Sequence, residues 1–130
     1  MKILQPPGWA KPKGYSNGIA VTGGTTVFIA GQIAFNSQNI IDEKTFAGQF
    51  RQTLKNTLAV LAESGGKPEH IVRMTWYITD KKEYLGAIKE VGAAYRELIG
   101  RHYPTMAVVQ VVALMEDEAK VEIETTAVVP

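Results

Sequence analysis

From Thr105 to Leu114 the chain reads TMAVVQVVAL, apolar at nearly every position. A strand with no polar alternation is the kind that is buried on both faces. The next stretch, Ala119–Val128 (AKVEIETTAV), alternates instead. Ala119, Val121, Ile123 and Thr125 share one face, and Lys120, Glu122 and Glu124 share the other. Read together, they are two neighbouring strands. Glutamate is depleted in strands. Two glutamates on one face, beside a strand apolar on both, are either solvated or line something.

Upstream, residues 5–14 (QPPGWAKPKG) form an irregular, Pro/Gly-rich entry segment. Ile19–Val21 and Val27–Ile33 flank Thr22-Gly23-Gly24-Thr25, which predicts a hairpin. No Gly-Lys-Ser/Thr follows that Gly-Gly, so it is not read as a phosphate loop. From Thr45 to Ser64 the residues Phe46, Phe50, Leu54, Leu58, Leu61 and Ala62 fall on one helical stripe. Thr45 caps its start, and Gly65-Gly66 stop it. Ile71–Ile78 reads as a strand, with Val72, Met74, Trp76 and Ile78 on one face. Asp80 and Glu83 resemble a capping box that opens a second helix. Its apolar face carries Tyr84, Ile88, Val91, Tyr95, Leu98 and Ile99, and Gly100 ends it. Pro104 keeps the following chain out of helix.

The predicted order is β-β-α-β-α-β-β. That order makes an α+β domain, with an antiparallel-rich sheet and two helices on one face. Two helices cover one side of the sheet, yet Thr105–Leu114 is apolar on both. Another copy of the chain is the simplest cover, so a homo-oligomer is expected. At 130 residues the whole chain, 1–130, is expected to form one domain. Fourteen basic and 13 acidic residues nearly cancel, which removes the electrostatic case for nucleic acid or an anionic membrane. With no cysteine, thiolate catalysis, thiolate metal sites and disulfides are excluded. His70 and His102 have no ligand spacing, so no metal or other cofactor is expected. No apolar run suits a signal peptide or a membrane span, and the expected location is the cytoplasm.

Several segments are similar to a known family. They are Gly31-Gln32-Ile33 after a strand, Gln49-Phe50-Arg51-Gln52-Thr53-Leu54-Lys55-Asn56 on the first helix, and Tyr77-Ile78-Thr79-Asp80. Tyr103-Pro104-Thr105 and Val121-Glu122-Ile123-Glu124 complete the set. In order and spacing, from about Tyr15 to Val128, the chain resembles the Rid (YjgF-type) family. These are reactive-intermediate, enamine/imine deaminases, also called the endoribonuclease L-PSP family. The resemblance implies a chorismate-mutase-like fold and a homotrimer with small-molecule clefts between subunits. It also implies hydrolysis of 2-imino or 2-enamino acids to 2-keto acids and ammonia. In that chemistry an arginine holds the substrate carboxylate, a glutamate handles the water, and a tyrosine lines the pocket.

Carried over position by position, the tyrosine falls on Tyr15 and the glutamate on Glu122. The arginine position holds Met106, and a nearby cysteine position holds Val108. The serine before Gly31-Gln32 is Ala30, and an asparagine of the second helix is Gly92. Methionine offers a carboxylate no donor and no charge. Losing an arginine's paired bonds costs roughly 1.5–3 kcal/mol. Met106 therefore argues against a small 2-imino acid. Arg73 and Arg101 are the expected places to look for a substitute. Met106, Val108, Ala30 and Gly92 together make the cleft roomier and more apolar, with Glu122 and Tyr15 at its wall.

Each residue also has a structural reading. Met106 and Val108 suit an interface core, Glu122 and Glu124 suit solvated strand positions, and Tyr15 suits a packing aromatic. Gly92 suits close helix packing, despite costing about 1 kcal/mol in mid-helix. Arg51 and Asn56 read as scaffold, and His102 as structural or as a base near neutral pH. Three functions follow: a C=N hydrolase on an altered substrate, a non-catalytic small-molecule-binding trimer, or a ribonuclease. The charge pattern has no basic stripe with interleaved aromatics to favour the ribonuclease.

Overall fold

The computed structural model describes all residues, Met1–Pro130. Its main sheet has four strands: β3 (Thr25–Gln32), β4 (Ile71–Ile78), β5 (Thr105–Gln110) and β6 (Val121–Val129), in the order β3-β6-β4-β5. Helices α1 (Phe46–Ala62), α2 (Lys81–Gly86) and α3 (Ile88–Leu98) are joined to it. Two short strands, β1 (Lys2–Leu4) and β2 (Gly18–Ala20), form a separate antiparallel pair. The fold is α+β with a mixed sheet. The β3–β6 and β4–β6 ladders are antiparallel, whereas β4–β5 is parallel. Parallel neighbours need a long crossover, and α2 and α3 supply it.

Core packing follows from the two periods. Ile29, Met74, Trp76, Ile78, Val121, Ile123 and Ala127 point to one face of the sheet. They meet Phe46, Phe50, Leu54 and Leu61 of α1, and Val91, Ala94 and Tyr95 of α3. Phe50 meets Trp76 edge-on at 4.8 Å between ring centroids. Thr45 caps α1, its Oγ1 accepting from the Gly48 N–H at 3.0 Å. Buried Gln49 ties α1 to the approach to β6. It donates to the carbonyls of Glu43 and Glu118 at 3.1 and 2.9 Å and accepts from Lys120 N–H at 2.8 Å.

Several expectations are corrected. Gly23 and Gly24 do turn the chain, with φ of 77° and 79°, but no hairpin forms across them. β2 pairs with β1, and β3 pairs with β6. The turn chemistry fixes a reversal, and the pairing partner is set by which strand buries the matching face. The second helix is two helices, interrupted at Ala87. Asp80 caps α2 by accepting from Lys82 and Glu83 N–H. Glu83 does not complete a capping box and instead pairs with Lys120 at 2.9 Å. Ala62, assigned to the apolar stripe, is exposed.

The terminal strands differ most from expectation. β5 and β6 are not neighbours, because β4 lies between them. β5 stops at Gln110 and occupies a sheet edge. It is not buried on both faces in the single chain: Val108 and Val109 are 38% and 41% exposed. Val112 and Met115, beyond its end, are fully exposed. The sheet face away from the helices carries Phe28, 80% exposed, with Thr75, Tyr77, Glu122 and Glu124.

Candidate functional site

Face assignment decides which residues can meet. In the parallel β4–β5 ladder Met74 lies beside Met106, and Trp76 beside Val108. Met74 and Trp76 are core residues, so Met106 and Val108 belong to the helix side of the sheet. Glu122 lies beside Tyr77, and Glu124 beside Thr75. Both glutamates therefore occupy the opposite, open face. Within one chain Glu122 therefore does not share a wall with Met106; the cleft expected from the sequence is one that lies between subunits.

On the helix side, β5, α2, α3 and the entry segment enclose a pocket of about 590 Å³, well within the usual range for small-molecule sites. Tyr15, Gly92, Met106 and Val108 all line it, together with Trp76, Tyr84, Ile88, Val91, Tyr95 and Tyr103. Lys13 and Arg96 are its charged lining residues. Ser16 holds Tyr15 in place: its hydroxyl donates to Tyr103 O at 2.5 Å, and its N–H donates to Pro104 O at 3.1 Å. Tyr95 and Tyr103 stack with an interplanar angle of 7°, and Trp76 tilts against Tyr95. An aromatic series thus runs from the core at Phe50 to the pocket wall. The Tyr95 hydroxyl donates to His102 O at 2.5 Å. Burial, and then the neighbouring Tyr103, push its phenol far above the ordinary range, so it stays neutral near pH 7. The indole N–H of Trp76 is buried without a partner, a donor left over where the core meets the pocket.

On the open face, Gly31 and half-buried Glu122 fit each other. A Cβ on Gly31 would stand 2.5 Å from Glu122 Oε2, so only a glycine leaves room for that carboxylate. A register shift between Ile29 and Gln32 puts Ala30 and Gly31 in a bulge, a device that re-aims neighbouring groups. Ala30 is exposed there. Glu124 Oε1 accepts from the Tyr77 hydroxyl at 3.1 Å, and that bond raises the Tyr77 phenol above its ordinary value.

The remaining positions resolve plainly. Neither Arg73 nor Arg101 lines the pocket; Arg73 lies on the open face beside Thr105 and Thr126. His102 Nε2 is 2.6 Å from Ile71 O, which engages the ring with backbone rather than with the pocket. Asn56 donates to the carbonyls of Ile33 and Phe35 at 2.9 and 2.8 Å, and Arg51 pairs with Glu97 of α3; both are scaffold. Sequence reasoning missed Arg96. Its spacing of four from Gly92 places both on one helix face, and that was the available signal.

The fold is that of the Rid/YjgF class. Residues 9–129 match the family described as Endoribonuclease L-PSP, and the chain belongs to that family. It is 34% identical to the RutC family protein slr0709 of Synechocystis, over 100% of this chain and 98% of that one. It is 35% identical to the Escherichia coli K12 protein named "Putative reactive intermediate deaminase TdcF", over 81% of this chain and 80% of that one. Among solved structures, the Rid-family protein YyfB of Yersinia pestis superposes with a TM-score of 0.85 at 29% identity, covering 98% of each chain. E. coli TdcF with bound serine gives a TM-score of 0.69 at 32% identity, covering both chains fully.

Proposed function

We propose that this protein is a Rid-family hydrolase of an enamine- or imine-type small molecule, acting in clefts between the subunits of a homotrimer. The observation that carries this reading is the fit of the Glu122 carboxylate over Gly31. It supplies a half-buried acid–base group on the open face, at the position of the family's water-handling glutamate. Tyr15, Met106, Val108 and Gly92 line the helix-side pocket. A cleft containing both sets requires that the open face of one copy meet the pocket edge of another. The similarity to the protein named "Putative reactive intermediate deaminase TdcF" supports the same chemistry.

In the proposed reaction Glu122 takes a proton from water as its oxygen bonds to the C=N carbon. The proton passes to nitrogen, the carbinolamine collapses, and ammonia leaves a carbonyl product. Tyr15 hydrogen-bonds the substrate. Met106 in the pocket directs the site away from the small 2-imino acids that an arginine there would hold. To test this, imines are generated from a panel of amino acids and amines, and their hydrolysis is followed with wild type and Glu122→Ala. The variant is expected to lose at least about tenfold in rate, the lower range for general acid–base groups. Equal rates for wild type, variant and buffer across the panel would sink the proposal.

One observation favours a second reading, a non-catalytic binding trimer: no carboxylate lines the helix-side pocket of the single chain. Ligand binding by calorimetry, with no turnover of any imine, would select it.

A further inference from the structure

Arg96 lies on α3 one turn after Gly92 and reaches back across it. A Cβ on Gly92 would stand 3.3 Å from Arg96 Nη1 and meets no other residue within 4 Å. The absence of a side chain at position 92 thus lets the guanidinium lie close against the helix. Both residues line the same pocket as Met106, from the helix side.

The guanidinium has no acidic partner. The two ion pairs in the chain are Arg51–Glu97 and Lys120–Glu83. The positions three and four residues away from Arg96 are Gly92, Ala93, Ile99 and Gly100, so its own helix offers no carboxylate at bonding distance. Its acidic neighbour in sequence, Glu97, is held by Arg51. A free, planar, five-donor cation at the edge of an otherwise apolar and aromatic cavity is matched to a carboxylate. Lys13 is the other cation of the lining. It sits on irregular chain and offers a point charge rather than a fork.

We infer that Arg96 is the carboxylate-binding residue of this site, taking from the helix the role that Met106 cannot perform from the strand. Moving the anchor from β5 to α3 leaves the strand side of the pocket apolar. There Met106 and Val108, with Trp76 and Tyr103, accept an aromatic or bulky apolar body. The ligand class is a 2-oxo or 2-imino acid with such a side chain. This rests on the proposed hydrolysis for the reaction, but not for the binding.

The test uses two stable probes that share a phenyl group: phenylpyruvate, which carries the carboxylate, and phenylacetone, which lacks it. Both are titrated by calorimetry into wild type, Arg96→Gln and Lys13→Gln. Wild type is expected to bind phenylpyruvate more tightly than phenylacetone. Arg96→Gln is expected to weaken phenylpyruvate by about ten- to a hundredfold, the range for a charge-assisted bond, and to leave phenylacetone within about twofold. Lys13→Gln is expected to change neither by more than about threefold. An unchanged phenylpyruvate affinity in Arg96→Gln would overturn the inference. So would loss appearing only in Lys13→Gln, equal loss of both probes, or no binding of phenylpyruvate by wild type. Arg96-dependent binding alongside Glu122-independent turnover would instead overturn the hydrolase reading alone.

Discussion

At the scale of single residues, a missing side chain and a carboxylate fit closely at Gly31 and Glu122. The Cβ of an alanine at position 31 would stand 2.5 Å from Glu122 Oε2 and 2.7 Å from its Cδ. Those atoms end a rotatable side chain, so the chain adjusts by swinging the glutamate rather than by moving backbone. Gly31→Ala is therefore expected to shift stability by less than about 1 kcal/mol while lowering imine hydrolysis toward the level of Glu122→Ala. Thermal denaturation and the hydrolysis assay read the two effects separately. Full turnover in Gly31→Ala would show that the position of Glu122 is not what the reaction depends on. The glutamate and tyrosine positions were legible in the sequence through the resemblance, because each keeps its residue type. Arg96 was not, because it matches no motif position. Its meaning depends on Gly92 one turn away and on the lack of an acidic partner, and the latter is a property of the packed chain.

At the scale of elements, the join between α2 and α3 is a weak point. Gly86 ends α2, its φ is not in the left-handed region, and a Cβ there meets nothing within 4 Å. Gly86→Ala is expected to stabilise the fold by roughly 0.5–1 kcal/mol, from helix propensity and a stiffer unfolded chain. A raised denaturation midpoint with an unchanged slope checks this. Helices and strands were themselves readable from their periods, since α1, β4 and β6 bury most of the stripes that their spacing implies, though Ala62 is exposed and Val72 half-buried. Their partners were not. A Gly-Gly turn reports that the chain reverses, but β3 finds β6 from the far end of the sequence. The apolar run beginning at Thr105 was read as a doubly buried strand beside β6. An uncharged run looks the same in a buried strand and in an edge strand that a neighbour covers.

At the scale of the whole molecule, the sheet has one face covered by helices and one face that mixes apolar and acidic groups. Phe28 stands 80% exposed on the latter. If further copies cover that face, as the proposed trimer requires, a charge there blocks assembly without touching the core. Phe28→Asp is expected to lower the solution mass from three times the 14.2 kDa chain toward that of the single chain. Sedimentation reads the mass, and circular dichroism confirms a folded chain. An unchanged trimer mass would place the contact elsewhere. The two faces also explain why the candidate site was only half legible: the sequence proposes residues for it, and the sheet's register decides which of them one chain can bring together.

The free edge of β5 has a consequence for how a single chain behaves in solution. From Thr105 to Gln110 the strand has neither a charge nor a proline, the features with which proteins blunt an open ladder. A newly made chain therefore carries a sticky template whose β-rich composition invites indiscriminate strand addition. Soluble yield should fall steeply with expression rate and temperature. A lysine in place of Val109, whose side chain is already 41% exposed, would act as a gatekeeper in the isolated chain.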